Sequence, residues 1–397
     1  MRVLVVHNKY QQRGGEDAVV DAEVDLLSRK GHDVELLSVS NDRIAGFIPT
    51  IKAALGTVYS PYGVGLVSEA IAKFSPDIMH VHNYFPRLSP YIFARAHRLG
   101  VPTVHTLHNY RLICPSADFL VEGKVDESSI HRSAFRMIQK RVYRNSILGT
   151  ASVAAMVEYH KKRGTWMSDV DAFITLTNFA KRKFIEAGLP EILLHVKPNF
   201  IMEDRIRRFG NRARQSAREG AIFVGRLSPE KGIDTLLSAW HGIDYELRII
   251  GPGATRRMRS LASEKIRFLG ELPPERVMEE MGKAAFIVMP SECYEGFPVT
   301  LAEAYMNELP VVASDIGGLG ELVTSETGIK CRPGDHNALA AAVNRMIALG
   351  ADGRSKLGDK ARRIALENYS EHKNYNILTD IYERAIHQYE RRRANDG

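Results

Sequence analysis

Short apolar runs alternate with longer segments of helical periodicity along most of the chain, and the alternation restarts once. In the first half, "RVLVVH" (2–7) is a β-branched run that leads into a Gly-Gly loop. "DAVVDAEVDLLSRKG" follows with apolar residues at helical spacing and stops at Gly31. "HDVELLSV", "DIMHVHN" (77–83), "PTVHTLHN" (102–109), "DAFITLT" (171–177) and "LLHVKPNF" (193–200) predict five further strands. After a polar, Arg-rich stretch, "EDRIRRFGNRARQSAREG" (203–220), which reads as a linker with an exposed loop, the pattern begins again. Here "AIFVGRL", "YELRIIG", "IRFLGEL", "AFIVMPS" and "PVVASD" predict strands, and "GIDTLLSAW", "ERVMEEMGKA" and the segment from Pro298 to about Asn307 predict helices.

Strands with apolar residues on both faces, alternating with helices, imply parallel sheets covered on both sides. The fold class is therefore α/β, with two Rossmann-like domains facing one another and ligands expected in the crevice at the carboxyl ends of both sheets. The expected division is 1–200 for the first domain and 201–369 for the second.

Composition narrows the class. The chain has 397 residues, 44% of them apolar, enough for two ordinary domains. No apolar run approaches the roughly 20 residues that span a bilayer, and the apolar part of "MRVLVVHNKY" is too short for a signal peptide. Cys114, Cys293 and Cys331 are odd in number, scattered and without a CxxC pair, which points to reduced thiols and a cytoplasmic place. The net charge is +7, and residues 1–200 carry about +6 of it. A phosphate-bearing substrate or an anionic membrane surface fits that excess. No nucleic-acid module motif is present, so nucleic acid is not expected as a partner.

The chemistry gathers in "PSECYEGFPVTLAEAYMNELPVVASDIGGLGELV" (290–323). Glu295 stands at the carboxyl end of a strand, and Glu303 about one and a half turns into the helix that follows. Seven intervening residues set the two carboxylates roughly 10 Å apart. Between them the free N–H groups near Phe297 to Thr300 form an anion site, and Pro298 suits a first turn, where its missing N–H costs nothing. Carboxylates bind diols and a helix start binds phosphate, so the spacing matches a sugar nucleotide. "FVGRLSPEKG" (223–232) adds Arg226 and Lys231, two cations able to stabilise a diphosphate leaving group without a metal. An isolated Glu-x7-Glu pair would read as a capping residue and a solvated helix residue; the nearby cations change that.

In the first half, Gly14 and Gly15 lie between a strand and a helix, where backbone can approach a ligand. The full G-x-G-x-x-G pattern is absent, so this is no dinucleotide fingerprint. His105 and His108 fall on opposite faces of their strand, and His108, nearer the carboxyl end, is the better site candidate. His80 and His82 share one strand face. With no set of cysteines or carboxylates to complete a metal site, they read as core histidines supporting others. "HRSAFRMIQKRVYRNSILG" (131–149), with "YHKKRG" (159–164), reads either as a basic amphipathic helix for an anionic membrane or as an ordinary helix face.

These motifs resemble the retaining glycosyltransferases of the GT-B fold, glycosyltransferase family 4 (glycosyl transferases group 1). The resemblance rests on Gly225-Arg226-Leu227 with Glu230-Lys231-Gly232, on "EGFPVTLAEA", on "PVVASDIGGLGELV", and in the first half on "GGED" (14–17), "HVHN" (80–83) and "HTLHNYRLICP" (105–115). It implies transfer of a sugar from a nucleotide diphosphate sugar to a hydroxyl acceptor. It implies that Glu295 touches the donor sugar, Glu303 the ribose, and Arg226 and Lys231 the diphosphate. Gly296, Phe297, Pro298, Val299 and Thr300 would line the donor with backbone groups. His108 would lie beside the donor sugar, and the Gly14-Gly15 loop would face donor phosphate and acceptor. Where many members carry Gly-Phe-Gly this chain has Gly-Phe-Pro, so one backbone N–H contact is lost at Pro298. The family pattern also brings the final helix, from about 370 to 397, back onto the first domain. The base is expected near Glu271 to Pro273.

No Asp-x-Asp motif suited to a divalent cation is seen, so no metal and no cofactor is expected. The acceptor is expected in polysaccharide or glycolipid assembly on a lipid carrier, with a peripheral position at the inner membrane face. Two other classes stay open: a nucleotide-sugar epimerase on the same scaffold, and a nucleotide-sugar-binding protein without catalysis. A phosphorylase would need a lysine context for pyridoxal phosphate that is not found.

Overall fold

The alternating runs become two six-stranded parallel sheets in the computed structural model, which describes residues 1–9, 14–40, 56–202 and 218–396. The first sheet runs in the spatial order Asp33–Ser40, Arg2–Lys9, Ile78–Asn83, Thr103–Leu107, Ala172–Thr175 and Leu194–Val196. All six strands of the sequence reading are present. The second runs Ile266–Gly270, Leu247–Ile250, Ala221–Val224, Phe286–Met289, Val311–Ser314 and Gly328–Cys331. Its sixth strand, "GIKC", is four residues long with an exposed Lys330, and carries no periodic signal to find it by.

Strand order fixes where loops can gather. In each sheet the chain starts near the middle and reverses direction of travel once. The reversal falls between Arg2–Lys9 and Ile78–Asn83 in the first sheet, and between Ala221–Val224 and Phe286–Met289 in the second. Loops leaving the carboxyl ends of those strand pairs diverge to opposite faces and leave room for a ligand. At one sheet Gly14 lies ahead of the first helix, with His82 near the end of its strand, and the loops of the other sheet carry Arg226, Lys231 and Glu295.

The chain divides into two units, one of residues 1–122, 126–197 and 375–397, the other of 123–125 and 198–374. The first takes back the end of the last helix, Glu371–Asp396. Leu378, Ile381, Tyr382 and Ala385 of that helix are buried against Val3, Val5, Val104 and Ile174 of the first sheet. Arg392 anchors its far end, with Nη1 3.0 Å from Asp171 Oδ1 and 2.9 Å from the Val170 carbonyl. The core of the second unit is built on Trp240, Phe286, Leu236 and Val343, all fully buried. The three cysteines are free thiols, and all are buried. No described helix is long and apolar enough to cross a membrane.

One expectation fails. The basic stretch 131–149 is not a continuous amphipathic helix. It is a four-residue helix Ser128–His131, a 3-10 turn Ala134–Met137, further turns, and a new helix Ile147–Arg163. Arg141, Arg144 and Asn145 hold φ near 50°, a left-handed conformation no helix continues through. Ser146 then restarts the helix, its hydroxyl accepting from Gly149 N. Of the expected linker, 203–217 lies outside the described residues.

Candidate active site

In the second unit the first strand ends at Val224, and Gly225 to Lys231 form the loop that follows. Lys231 closes a 3-10 turn, Pro229–Lys231, and Gly232 leaves it with φ 70°. A Cβ on Gly232 would stand 1.9 Å from the Pro290 carbonyl oxygen. Only glycine permits that approach. It brings the Lys231 loop against the segment carrying Glu295, and Glu292 N donates to Glu230 O at 3.0 Å across the same junction.

The result is a part-buried ion pair, with the Lys231 side chain 27% and the Glu295 side chain 10% accessible. Lys231 Nζ lies 2.6 Å from Glu295 Oε2, and Ser291 Oγ donates to Glu295 Oε1. Burial alone would raise the Glu295 pKa; Lys231 and the Ser291 hydroxyl outweigh it and hold the carboxyl below its ordinary value. Burial would lower the Lys231 pKa, and Glu295 turns that into a rise. Both groups are therefore charged at neutral pH. Arg226 is the exposed member of the set, its side chain 62% accessible and 3.2 Å from Glu230 Oε1. Ser228 Oγ holds the same Glu230 oxygen at 2.6 Å.

Beyond Glu295 the chain turns through Gly296 and the buried Phe297 into the helix Val299–Met306. Pro298 precedes that helix in extended conformation, φ −65° and ψ 119°. Phe297 is held from two sides: Asn199 Nδ2 donates to its carbonyl at 3.0 Å, and its ring meets Tyr369 edge-on at 4.9 Å. Val299, Thr300 and Glu303 are half-buried, with Glu303 inside the helix. Glu271 to Pro273 occupy the turn between the strand Ile266–Gly270 and the helix Pro274–Lys283.

The first unit contributes a different cluster. Gly14 stands just ahead of the helix Gly15–Arg29, in extended conformation, and its N–H donates to Asp17 Oδ2 at 2.8 Å. The other Asp17 oxygen is 2.8 Å from His7 Nε2. His108 follows directly on the strand Thr103–Leu107, half-buried, its Nε2 2.9 Å from Nδ1 of the buried His82. His105 is separated from it, enclosed among Tyr84, Phe93, Trp166 and Phe173, with Nδ1 2.9 Å from the Val81 carbonyl. Its role is in the core.

Two buried charges were not singled out from the sequence. Glu23, on the helix Gly15–Arg29, and Lys197, just past the last strand of the sheet, pair at 2.7 Å, each side chain only 1% accessible. The signals were there: Glu23 falls on the apolar stripe of Val19, Val20, Leu26 and Leu27, and Lys197 ends the apolar run "LLHV". A charge at a buried position needs a partner. Glu23 Oε1 also lies 3.1 Å from His80 Nδ1 and from His82 Nε2. These three groups have the composition and closeness of a metal site. Lys197 already neutralises the carboxylate, however, and His80 is committed at both nitrogens, to Tyr382 Oη at 2.8 Å and Thr106 Oγ1 at 2.7 Å. Asp169-Val170-Asp171 has Asp-x-Asp spacing, but Asp169 pairs with Arg163, and Asp171 with His97 and Arg392.

Against known proteins, residues 13–205 match the model of Glycosyltransferase Family 4, and residues 218–348 match that of Glycosyl transferases group 1. The chain belongs to glycosyltransferase family 4. Among curated relatives of this glycosyltransferase, the D-inositol 3-phosphate glycosyltransferase of Acidothermus cellulolyticus is 27% identical. That match covers 69% of this chain and 60% of the relative. The glycogen synthase of Mycobacterium tuberculosis is 26% identical over 87% of this chain and 86% of its own. Among solved structures, the Rickettsia africae glycosyltransferase superposes with a TM-score of 0.67 at 17% identity, covering 97% of this chain and 98% of its own. Anabaena HepE in complex with UDP-glucose gives 0.64 at 16% identity, covering 96% and 100%. The two-domain α/β architecture of this glycosyltransferase is the GT-B fold.

Proposed function

We propose that this glycosyltransferase moves a sugar from a nucleotide diphosphate sugar to a hydroxyl acceptor, with retention of configuration and without a metal ion. The observation that carries the reading is the Lys231–Glu295 ion pair, set one loop ahead of the helix Val299–Met306 with Arg226 beside it. Cations and a carboxylate meet there, and the helix whose first N–H groups lack helical partners begins just after Glu295 in the sequence. A diphosphate accepts from the first and last, and a sugar hydroxyl donates to the second.

In this reading Arg226, Lys231 and the N–H groups near Thr300 stabilise the charge that develops on the leaving phosphate. Glu295 binds donor sugar hydroxyls and Glu303 the ribose diol. Gly296, Phe297, Pro298 and Val299 line the donor, and Pro298, having no N–H, donates no hydrogen bond to it. His108 and the Gly14-Gly15 loop are the first unit's contribution to donor and phosphate. Front-face attack needs neither a base opposite the leaving group nor a carboxylate nucleophile: the leaving phosphate oxygen takes the acceptor's proton. HepE in complex with UDP-glucose supports a donor of that class.

The acceptor we assign to polysaccharide or glycolipid assembly on a lipid carrier, with the enzyme held at the inner membrane face. The broken basic region supports this better than a continuous helix would. Phe135, Ile147 and Leu148 are 50%, 48% and 69% exposed among the exposed Arg132, Arg136, Lys140, Arg141 and Arg144. Apolar tips ringed by cations suit an anionic bilayer.

Calorimetric titration of UDP, GDP, the free nucleosides and the corresponding sugar nucleotides tests the donor assignment. Diphosphates are expected to bind far more tightly than nucleosides, and R226A or K231A to remove most of that difference. Equal nucleoside and diphosphate affinity would refute it.

A further inference from the structure

In the first unit, Glu23 is the buried carboxylate on which a chain of imidazoles converges. Its Oε2 is held by Lys197 Nζ at 2.7 Å, and its Oε1 lies 3.1 Å from His82 Nε2. His82 Nδ1 is in turn 2.9 Å from His108 Nε2. Glu23 Oε1 and His82 Nε2 are both inaccessible to solvent and neither is in a hydrogen bond, so what joins them is a 3.1 Å electrostatic contact. Burial would raise the Glu23 pKa, but Lys197, His82 and His80 together hold it well below the ordinary range, so Oε1 carries charge.

The protons in this chain can be placed by elimination. His82 is neutral at neutral pH, since burial and the neighbouring His80 push it down to about 3. It carries one ring proton. A lone pair on Nε2 facing a carboxylate oxygen at 3.1 Å would be repelled, whereas an N–H dipole there is attracted even without a full hydrogen bond. The proton therefore sits on Nε2, and Nδ1 is the acceptor. The 2.9 Å contact then requires His108 Nε2 to be the donor. Burial and His82 likewise keep His108 neutral, so its Nδ1 holds a lone pair.

We propose that Glu23 is a positioning residue for the transfer reaction: acting through His82, it fixes the tautomer of His108 and leaves His108 Nδ1 as a hydrogen-bond acceptor for a donor-sugar hydroxyl. This rests on the reading of His108 as a sugar contact. Lys197 belongs to the device, because it neutralises Glu23 and fixes which oxygen faces His82. His108 lines a small pocket with Asn83, Phe85, Asn109 and Arg111, at the carboxyl ends of its own strand and of Ile78–Asn83. A hydroxyl can reach it there.

Glu23→Gln tests the chain. Lys197 will keep the carboxamide oxygen, so the amide NH₂ faces His82 Nε2 and donates. That inverts both tautomers and turns His108 Nδ1 into a donor. Nitrogen-15 shifts of labelled histidine rings read the tautomers directly, with H82N and H108A supplying assignments. Wild type is expected to show protonated Nε2 and bare Nδ1 at both His82 and His108, and E23Q the reverse at His108. Turnover of E23Q should fall about tenfold or more, in kcat more than in KM, as wrong tautomers do in hydrogen-bonded relays. H82N keeps an oxygen to accept from His108 Nε2 and should lose less activity than H82L. If E23Q folds poorly, the H82N and H82L pair carries the kinetic test. A protonated Nδ1 on His108 in wild type, or equal losses in H82N and H82L, would overturn the proposal. The predicted tautomers beside a fully active H108A would instead sink the reading of His108 on which it rests.

Discussion

Lys231→Met separates what the Lys231–Glu295 pair does for the fold from what it does for the reaction. The variant leaves Glu295 90% buried and without its partner at 2.6 Å, with the Ser291 hydroxyl and the charge of Arg226 still favouring its ionised form. Removing one member of a fully buried pair costs about 3–5 kcal/mol, and an exposed pair is worth under about 1 kcal/mol. The Lys231 side chain is 27% accessible, so we expect a loss of about 2 kcal/mol in urea unfolding at neutral pH. The rate should fall about 10²-fold through loss of charge stabilisation on the leaving group, which is about 2.7 kcal/mol of barrier. Adding Glu295→Gln removes the stranded charge. The double variant should regain most of the stability and none of the rate. The pair's share of stability has two limits, set by opposite shifts. Glu295, with its pKa lowered, loses its share as pH falls below the ordinary carboxylate range, and Lys231, with its pKa raised, loses its share only above the ordinary lysine range. A single variant with wild-type stability and rate, or a double variant that regains the rate, would refute the reasoning.

Gly232→Ala should destabilise by about 2 kcal/mol or more in the same assay, since φ is 70° and the new Cβ meets the Pro290 oxygen; wild-type stability would mean the loop is not held as described. Stability should fall as pH drops from about 6.5 toward about 4, by about 1.4 kcal/mol per pH unit for each histidine buried neutral. His105 and His160 are pushed down to about 4 by burial, so the unfolded chain binds protons the fold refuses; a flat profile of unfolding free energy across that range would contradict it. Activity should survive EDTA, and abolition restored by manganese or magnesium would overturn metal independence. Sedimentation with anionic vesicles should weaken as salt rises and on charge reversal at Arg136, Arg141 and Arg144; indifference to both would remove the membrane assignment.

What was legible in the sequence followed from how strongly burial marks each element. Eleven of the twelve strands in the two six-stranded sheets are apolar runs bounded by polar residues, and these were legible; the two-residue strands Leu120–Val121 and Lys124–Val125 are too short to show a period. "GIKC" escaped because a four-residue edge strand with a polar member has no period. Arg226, Lys231 and Glu295 were legible because glycines and prolines frame them, and the structure brings Lys231 onto Glu295 through the Gly232–Pro290 approach. That Lys231 would neutralise Glu295 was not legible, since spacing says nothing about which side chains from different loops meet. Lys140, Arg141 and Arg144 looked helical by composition, yet Ser146 restarts the helix and left-handed residues precede it. Glu23 and Lys197 stood out only as charges in apolar company, and 174 residues separate them.

The anomeric configuration of the released sugar distinguishes front-face departure from inversion. The enzyme is incubated, without acceptor, with a panel of α-linked sugar nucleotides that includes UDP-glucose, and the first free sugar is observed by proton NMR before it mutarotates. Front-face departure, with the phosphate held by Arg226 and Lys231, delivers water to the face the phosphate leaves, so the α anomer should appear first. A β anomer as the first product would contradict the account, even with the fold and the donor site intact.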